Sequence, residues 1–304
     1  MTATPDAETQ RLLDAMSSQP TVDFSQVPVS ALRAAMAMPQ ASVEAVGRVW
    51  EHSIRGGDQQ PLRLRLYAPA EPAAQRPAIL YMHGGGFVLC DLDTHDNICR
   101  ALCNAAGALV VSVDYRLAPE QPFPAAPEDA YRALLWLQAE AETLGVDAAN
   151  ITVAGDSAGA NLAAVVSLMC RDRGSPLPAR QWLLYPALDP ACNTGSMQDF
   201  AEGYLLTREQ MRWFWSQYLP SAQAPSAYAQ PLLASLDQLP PTTVITAECD
   251  PLRDEGQAFA EALRAAGNIV SYRCEPGQIH GFCSYLQGLP AARRVLEQLG
   301  RSLL

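Results

Sequence analysis

A β-rich run, ITVAG (151–155), passes straight into Asp156-Ser157-Ala158-Gly159 and then into an alanine-rich helical stretch. Gly-x-Ser-x-Gly between a strand and a helix is the pattern of a nucleophile elbow, a sharp turn that strains the serine backbone and exposes its hydroxyl. Residues two positions away must be small to avoid clashing, and Gly155 and Gly159 meet that need. The turn also sets Ser157 at a helix N-terminus, where free N–H groups and the helix dipole favour developing negative charge. A serine hydroxyl is a poor nucleophile until a base takes its proton. The chain has four histidines, His52, His83, His95 and His280. The partners of such an elbow follow it in the order acid, then histidine, and only His280 follows Ser157. His52 lies within a strand as surface or core filler, and His95 begins a helix within a local hydrogen-bond network.

An acid at a strand end must hold the imidazole's tautomer and orientation. VITAECDPLRDEG (244–256) supplies Asp250 directly after a strand, whereas Asp254 and Glu255 open the next helix and suit its N-terminal turn. Charge on a tetrahedral oxygen requires preorganised N–H donors. One is the amide after the nucleophile, Ala158. The others are expected in the loop carrying His83-Gly84-Gly85-Gly86, with Gly85 and Gly86 as donors and Gly84 permitting the turn. A phosphate loop is disfavoured there, since no Lys-Ser/Thr follows and the spacing is not G-x-G-x-x-G.

These residues need a rigid frame, and short β-rich runs alternate with longer helical stretches to provide one. The runs are 48–54, 62–68, 78–83, 109–114, 151–155, 181–185, 242–247 and 269–274. The first two alternate polar and apolar, as antiparallel strands near an edge do, and the later ones read as strands covered on both faces. Helices are expected at 94–105, 125–142, 158–172, 254–266 and 290–302. The fold class is therefore α/β, an eight-stranded, mostly parallel sheet flanked by helices. Two segments fall outside the alternation. Residues 1–45 read as one or two helices. Residues 187–235 form an excursion whose TREQMRWFWSQYLP stretch opens on a capping box, Thr207 with Gln210. Its Trp213, Phe214 and Trp215 either pack on the domain or line a pocket beneath a cap. The segmentation is 46–186 and 236–304 as core, with 1–45 and 187–235 outside it.

Composition narrows the partners. In 304 residues, 49% are hydrophobic and 17% charged, enough apolar material for one large core. A net charge of −11 and a pI near 4.8 argue against nucleic acid or an anionic membrane surface. No run of 18 apolar residues predicts a membrane span, and the polar N-terminus has no signal-peptide pattern. A cytoplasmic protein with eight reduced cysteines is expected. No CxxC pair occurs, Cys99 and Cys103 read as core, and no metal is expected.

The sequence resembles the hormone-sensitive-lipase-like, group IV microbial esterases of the α/β-hydrolase superfamily. The likeness rests on His83-Gly84-Gly85-Gly86, residues 155–159, Asp250-Pro251-Leu252-Arg253-Asp254-Glu255, His280-Gly281-Phe282 and the segment 110–130. It implies Ser157, Asp250 and His280 as triad, Gly85, Gly86 and Ala158 as oxyanion hole, His83 as a brace for the loop, and residues 1–45 and 187–235 as the N-terminal and second segments of the family's cap. It implies a cofactor-free hydrolase of small carboxylic esters with short to medium acyl chains. An amidase, formamidase or lactonase would use the same machinery, and a non-catalytic small-molecule receptor would be expected to lack a triad member. An edge strand or the last helix offers a surface for a homodimer.

Overall fold

A computed structural model describes residues 3–17, 22–36, 44–71, 75–220 and 224–303. Parts of the two expected cap segments, 1–2, 18–21, 37–43 and 221–223, lie outside the described residues. The strands are β1 Arg48–Arg55, β2 Pro61–Ala68, β3 Arg76–Met82, β4 Leu109–Val113, β5 Val146–Asp156, β6 Arg180–Leu184, β7 Thr242–Cys249 and β8 Val270–Ile279. They form one sheet in the order β1-β2-β4-β3-β5-β6-β7-β8. β1 pairs with β2, and β2 with β4, in antiparallel fashion, while β4 through β8 run parallel along the sheet.

Side chains alternate across a strand, so an apolar run buried on both faces feeds two cores at once. In β3, Leu80 and Met82 enter one core while Ile79 and Tyr81 enter the other. The first core is closed by α4 (Ala125–Ala139), α5 (Ala158–Arg173) and α8 (Arg253–Ala265). The second is closed by α3 (Asp96–Ala106) and α9 (Pro290–Arg301). In α9 the buried Ala292, Val295, Leu296 and Leu299 fall at helical spacing.

Three expectations about the frame change. β8 is only partly covered, because it ends the sheet with β7 as its one neighbour; Ser271 is exposed and Val270 to Cys274 otherwise half-buried. β5 starts at Val146, five residues early, through a polar Asp-Ala-Ala-Asn stretch whose pairing with β3 shifts register after Arg76. The helix expected to 142 ends at Ala139.

The segments outside the alternation hold α1 (Ala7–Ser17), α2 (Val29–Met36), α6 (Gly195–Asp199) and α7 (Arg208–Tyr218). The capping box opening α7 is formed in both directions: the Thr207 hydroxyl accepts from the Gln210 amide, and the Gln210 side chain from the Thr207 amide. Each segment is tied to the sheet's loops. Asp6, just before α1, donates its amide to Gly277 O and accepts from the Gln278 side chain. Arg33 of α2 donates to Val88 O and Ala118 O and forms a two-pronged pair with Glu120. Asn161 of α5 donates to Ala187 O and Ala229 O, holding both ends of the 187–235 excursion.

Candidate active site

β3, β5, β7 and β8 all point their C-terminal ends the same way, and the sequence after each carries a candidate residue. In open parallel sheets this edge is where ligands bind. Ser157 leaves β5 with φ 55° and ψ −120°, outside the regions open to an ordinary L-residue. The strained turn lets α5 begin at once while its neighbours stay bare: a Cβ on Gly159 would strike Met82 O at the end of β3, and one on Gly155 would strike the Gly159 backbone. Ser157 is the N-cap residue of α5, yet its hydroxyl makes no cap bond. It lies instead 2.9 Å from Nε2 of His280.

His280 follows β8, and its Nδ1 is 2.8 Å from Oδ2 of Asp250 at the end of β7. Asp250 is wholly buried, and its other oxygen accepts the Leu252 amide at 2.8 Å. A short polar chain thus runs from a buried carboxylate through an imidazole to a strained serine. Asp254 and Glu255 do lie in the first turn of α8, and each also holds a loop. Asp254 accepts the Ser196 amide, and Glu255 accepts that of Leu188, two residues past Pro186. Burial pushes the Glu255 carboxyl well above the ordinary carboxylate range.

The His83–Gly86 loop lies beside the elbow because β3 and β5 are adjacent, Met82 opposite Gly155. Gly85 and Gly86 have φ of 111° and 61°, backbone that glycine adopts without strain. Among the described residues, no protein acceptor takes the amides of Gly85, Gly86 or Ala158. Gly84 differs from the expectation that it permits the turn: its φ is not positive, and it is bare for another reason. A Cβ there would lie 2.5 Å from Oδ2 of Asp156, whose carboxylate accepts the Gly84 amide at 3.0 Å.

His83 is fully buried, stacked on Tyr115 at 4.3 Å between ring centroids, with Nδ1 2.7 Å from Gly84 O. Burial, then the neighbouring His95, pulls its pKa down to about 4. A neutral ring donates Nδ1–H to the Gly84 carbonyl, and the Tyr115 hydroxyl donates to His83 O. His52 is exposed and stacks on Trp136. His95 begins α3 and does join a network, facing Asp156 with Nε2 and Thr94 Oγ1 with Nδ1.

The α7 aromatics divide. The Phe214 ring lies against Gly86, where any Cβ would strike it. Trp213 is half-buried on Phe24 of the N-terminal segment. Trp215 is 3% exposed and packs on Phe87, which also stacks on Tyr218 at 3.8 Å. Arg33 and Asn161, which tie these segments down, had only the faint signal of a polar residue in an otherwise apolar helical stretch. Among the described residues, no cluster of three or more His, Cys, Asp or Glu could hold a metal ion.

Comparison with known proteins places this site. Residues 79–284 match the α/β-hydrolase fold family. The chain is 42% identical to carboxylic ester hydrolase LipN of Mycobacterium tuberculosis over 90% of its length and 74% of that protein's. It is 40% identical to ethyl acetate hydrolase of Pseudomonas putida over 76% of its length and 74% of that protein's. The structure superposes on a hyperthermophilic esterase from the archaeon Pyrobaculum calidifontis with a TM-score of 0.91, at 41% identity over 100% of this chain and 98% of that one. With a sheet, an elbow and relatives that agree, the chain belongs to the α/β-hydrolase fold family, in its hormone-sensitive-lipase-like branch, and is a serine carboxylesterase.

Proposed function

We propose that Ser157, His280 and Asp250 carry out ester hydrolysis through an acyl-enzyme intermediate. The observation that supports this reading above all is the unbroken chain Asp250–His280–Ser157, with spacings of 2.8 and 2.9 Å. Ser157 Oγ attacks the ester carbonyl as its proton passes to His280 Nε2. Asp250 holds the ring and stabilises the imidazolium. The tetrahedral oxygen is received by the amides of Gly85, Gly86 and Ala158. Collapse breaks the bond to the alcohol oxygen, which takes the proton from His280. Water then attacks the acyl-enzyme, with His280 again accepting its proton.

Residues 1–45 and 187–235 serve as a cap. Phe214, seated on Gly86, sits where an acyl or alcohol group would meet the loop, while Trp213 packs on Phe214 and Trp215 on Phe87. The substrates are esters with short to medium acyl chains, a class supported by the family likeness and by the Pseudomonas putida relative named for ethyl acetate. No helix among the described residues is long and apolar enough to cross a membrane; the reading places the enzyme in the cytoplasm with its thiols reduced. A homodimer would use the β8 edge or α9, and sedimentation velocity measures that directly.

Ser157→Ala is expected to lower kcat at least about a thousandfold on p-nitrophenyl acetate while the fold persists. A variant keeping a tenth of the wild-type rate would overturn the assignment. A chain-length series of chromogenic esters should peak at short to medium acyl chains, and a maximum at long chains would refute that substrate class.

A further inference from the structure

Asp156 is the last residue of β5 and the neighbour of Ser157, with 3% of its surface exposed. Its Oδ1 accepts the Tyr81 hydroxyl of β3 at 2.8 Å and the Gly84 amide at 3.0 Å. His95 Nε2 lies 3.3 Å from Oδ1 and 3.4 Å from Oδ2, and it is also 3.3 Å from the Gly84 amide nitrogen, so the ring shares that amide with the carboxylate. On its other side, His95 Nδ1 is 3.0 Å from Thr94 Oγ1, which accepts the Asp91 amide. A second acid–histidine–hydroxyl chain therefore lies beside the reactive one. It has no strained serine, and His95 is only 4% exposed.

An isolated buried carboxylate costs several kcal/mol, and a side chain that only fills space would be apolar. Here burial raises the Asp156 carboxyl, and His95 first and the Tyr81 hydroxyl after it outweigh it and hold it below the usual carboxylate range. An ionised acceptor binds an amide about twice as strongly as a neutral one. The amide it holds belongs to Gly84, one peptide unit before Gly85. The Gly84 N–H lies in the planar His83–Gly84 peptide, so holding it fixes that plane and leaves only the φ and ψ of Gly84 to aim the Gly85 amide. Gly84 also has to be glycine for the carboxylate to come this close.

The geometry points to Asp156, backed by His95, as a positioning residue that sets the oxyanion loop in register with the nucleophile. One side chain is covalently next to Ser157 and hydrogen-bonded to the loop opposite it, so the attacking oxygen and the oxyanion donors share a single fixed reference. The inference rests on the ester-hydrolase reading of the site given above.

The test compares Asp156→Asn, Asp156→Ala and His95→Gln with wild type and Ser157→Ala, using p-nitrophenyl acetate and a small alkylboronic acid. The boronic acid adds reversibly to the serine oxygen and gives a tetrahedral, negatively charged adduct that needs the oxyanion donors. Asp156→Ala is expected to lower kcat about a hundredfold, the scale of losing one oxyanion donor, with KM within about threefold. Boronate affinity should fall in the same proportion as kcat/KM. Asp156→Asn keeps an acceptor for the Gly84 amide and should recover at least about a tenth of the wild-type kcat. Where Asp156→Ala does not fold, His95→Gln reads the same link and should lower kcat and boronate affinity together, about tenfold. Variants with wild-type kcat and boronate affinity, or with KM raised and kcat intact, overturn the positioning role alone. Ser157→Ala retaining wild-type turnover would overturn the site assignment and this inference with it.

Discussion

Ser157 occupies a backbone conformation that costs of order 1–3 kcal/mol unless its surroundings impose it. They do: its amide donates to Leu184 O, and its carbonyl accepts from Ala160, Asn161 and Ala187. Gly159 lets β3 approach this turn, and Gly159→Ala is expected to give an insoluble or inactive chain, because the atom it would meet is backbone and cannot rotate aside. Soluble, wild-type-like protein from that variant would contradict the packing described. His83 makes a prediction of a different kind. Folded, it titrates near 4 rather than 6.5, so between those values the unfolded chain holds the extra proton. The stability it contributes is complete above pH 6.5 and declines as pH falls toward 4, by up to about 3 kcal/mol. Urea midpoints for His83→Gln at pH 7, 5.5 and 4.5 should fall less steeply than those of wild type, and equal slopes would assign the acid loss to other groups.

Among the elements, the central strands were legible because they are apolar on both faces, and the elbow because its glycines and serine are local in sequence. The order of Ser157, Asp250 and His280 along the chain was enough to pick the residues that the structure draws into one hydrogen-bonded line. What escaped were links between distant segments. Arg33 meets Val88 across 55 positions and Asn161 meets Ala229 across 68, and neither partner is marked by a motif because each offers only a carbonyl. The role of Gly84 escaped for the same reason, since the carboxylate that excludes a Cβ is 72 positions away. β8 misled because burial on two faces depends on its place at the sheet's edge, which its own residues do not state. Arg33 is the firmest test at this scale. It fixes α2 to the return of the oxyanion loop, so Arg33→Ala leaves two carbonyls without their charged donor, a loss of about 1–3 kcal/mol. Faster limited proteolysis of the N-terminal segment, a lower Tm and several-fold slower turnover are expected. Unchanged proteolysis would mean that the aromatic contacts of Phe24 hold that segment unaided.

For the whole molecule, all 21 basic residues are arginines, which stay charged throughout the accessible pH range. Alkaline sensitivity must come from acids that burial holds neutral. Cys103, Cys170, Cys192 and Cys249 are each raised from 9.0 to about 12, and Tyr81, Tyr115 and Tyr185 lie well above 10.0, all chiefly through burial. The stability these groups contribute is complete below pH 9 and is lost as pH climbs toward their folded values. Urea midpoints should therefore drop steeply from pH 9 to 11, and a flat profile there would contradict the burial described. The partial cover of β8 carries a last consequence. Ser157 and His280 stand three strands apart, roughly 14 Å of sheet held to a tolerance of tenths of an ångström. His280 hangs from the outermost strand, and edge elements open at lower free energy than the core. Fraying at that border would part His280 from Ser157 while both hydrophobic cores remain intact. Catalysis should thus fade at a lower urea concentration than the far-ultraviolet circular dichroism signal, and the enzyme would report the integrity of its own margin.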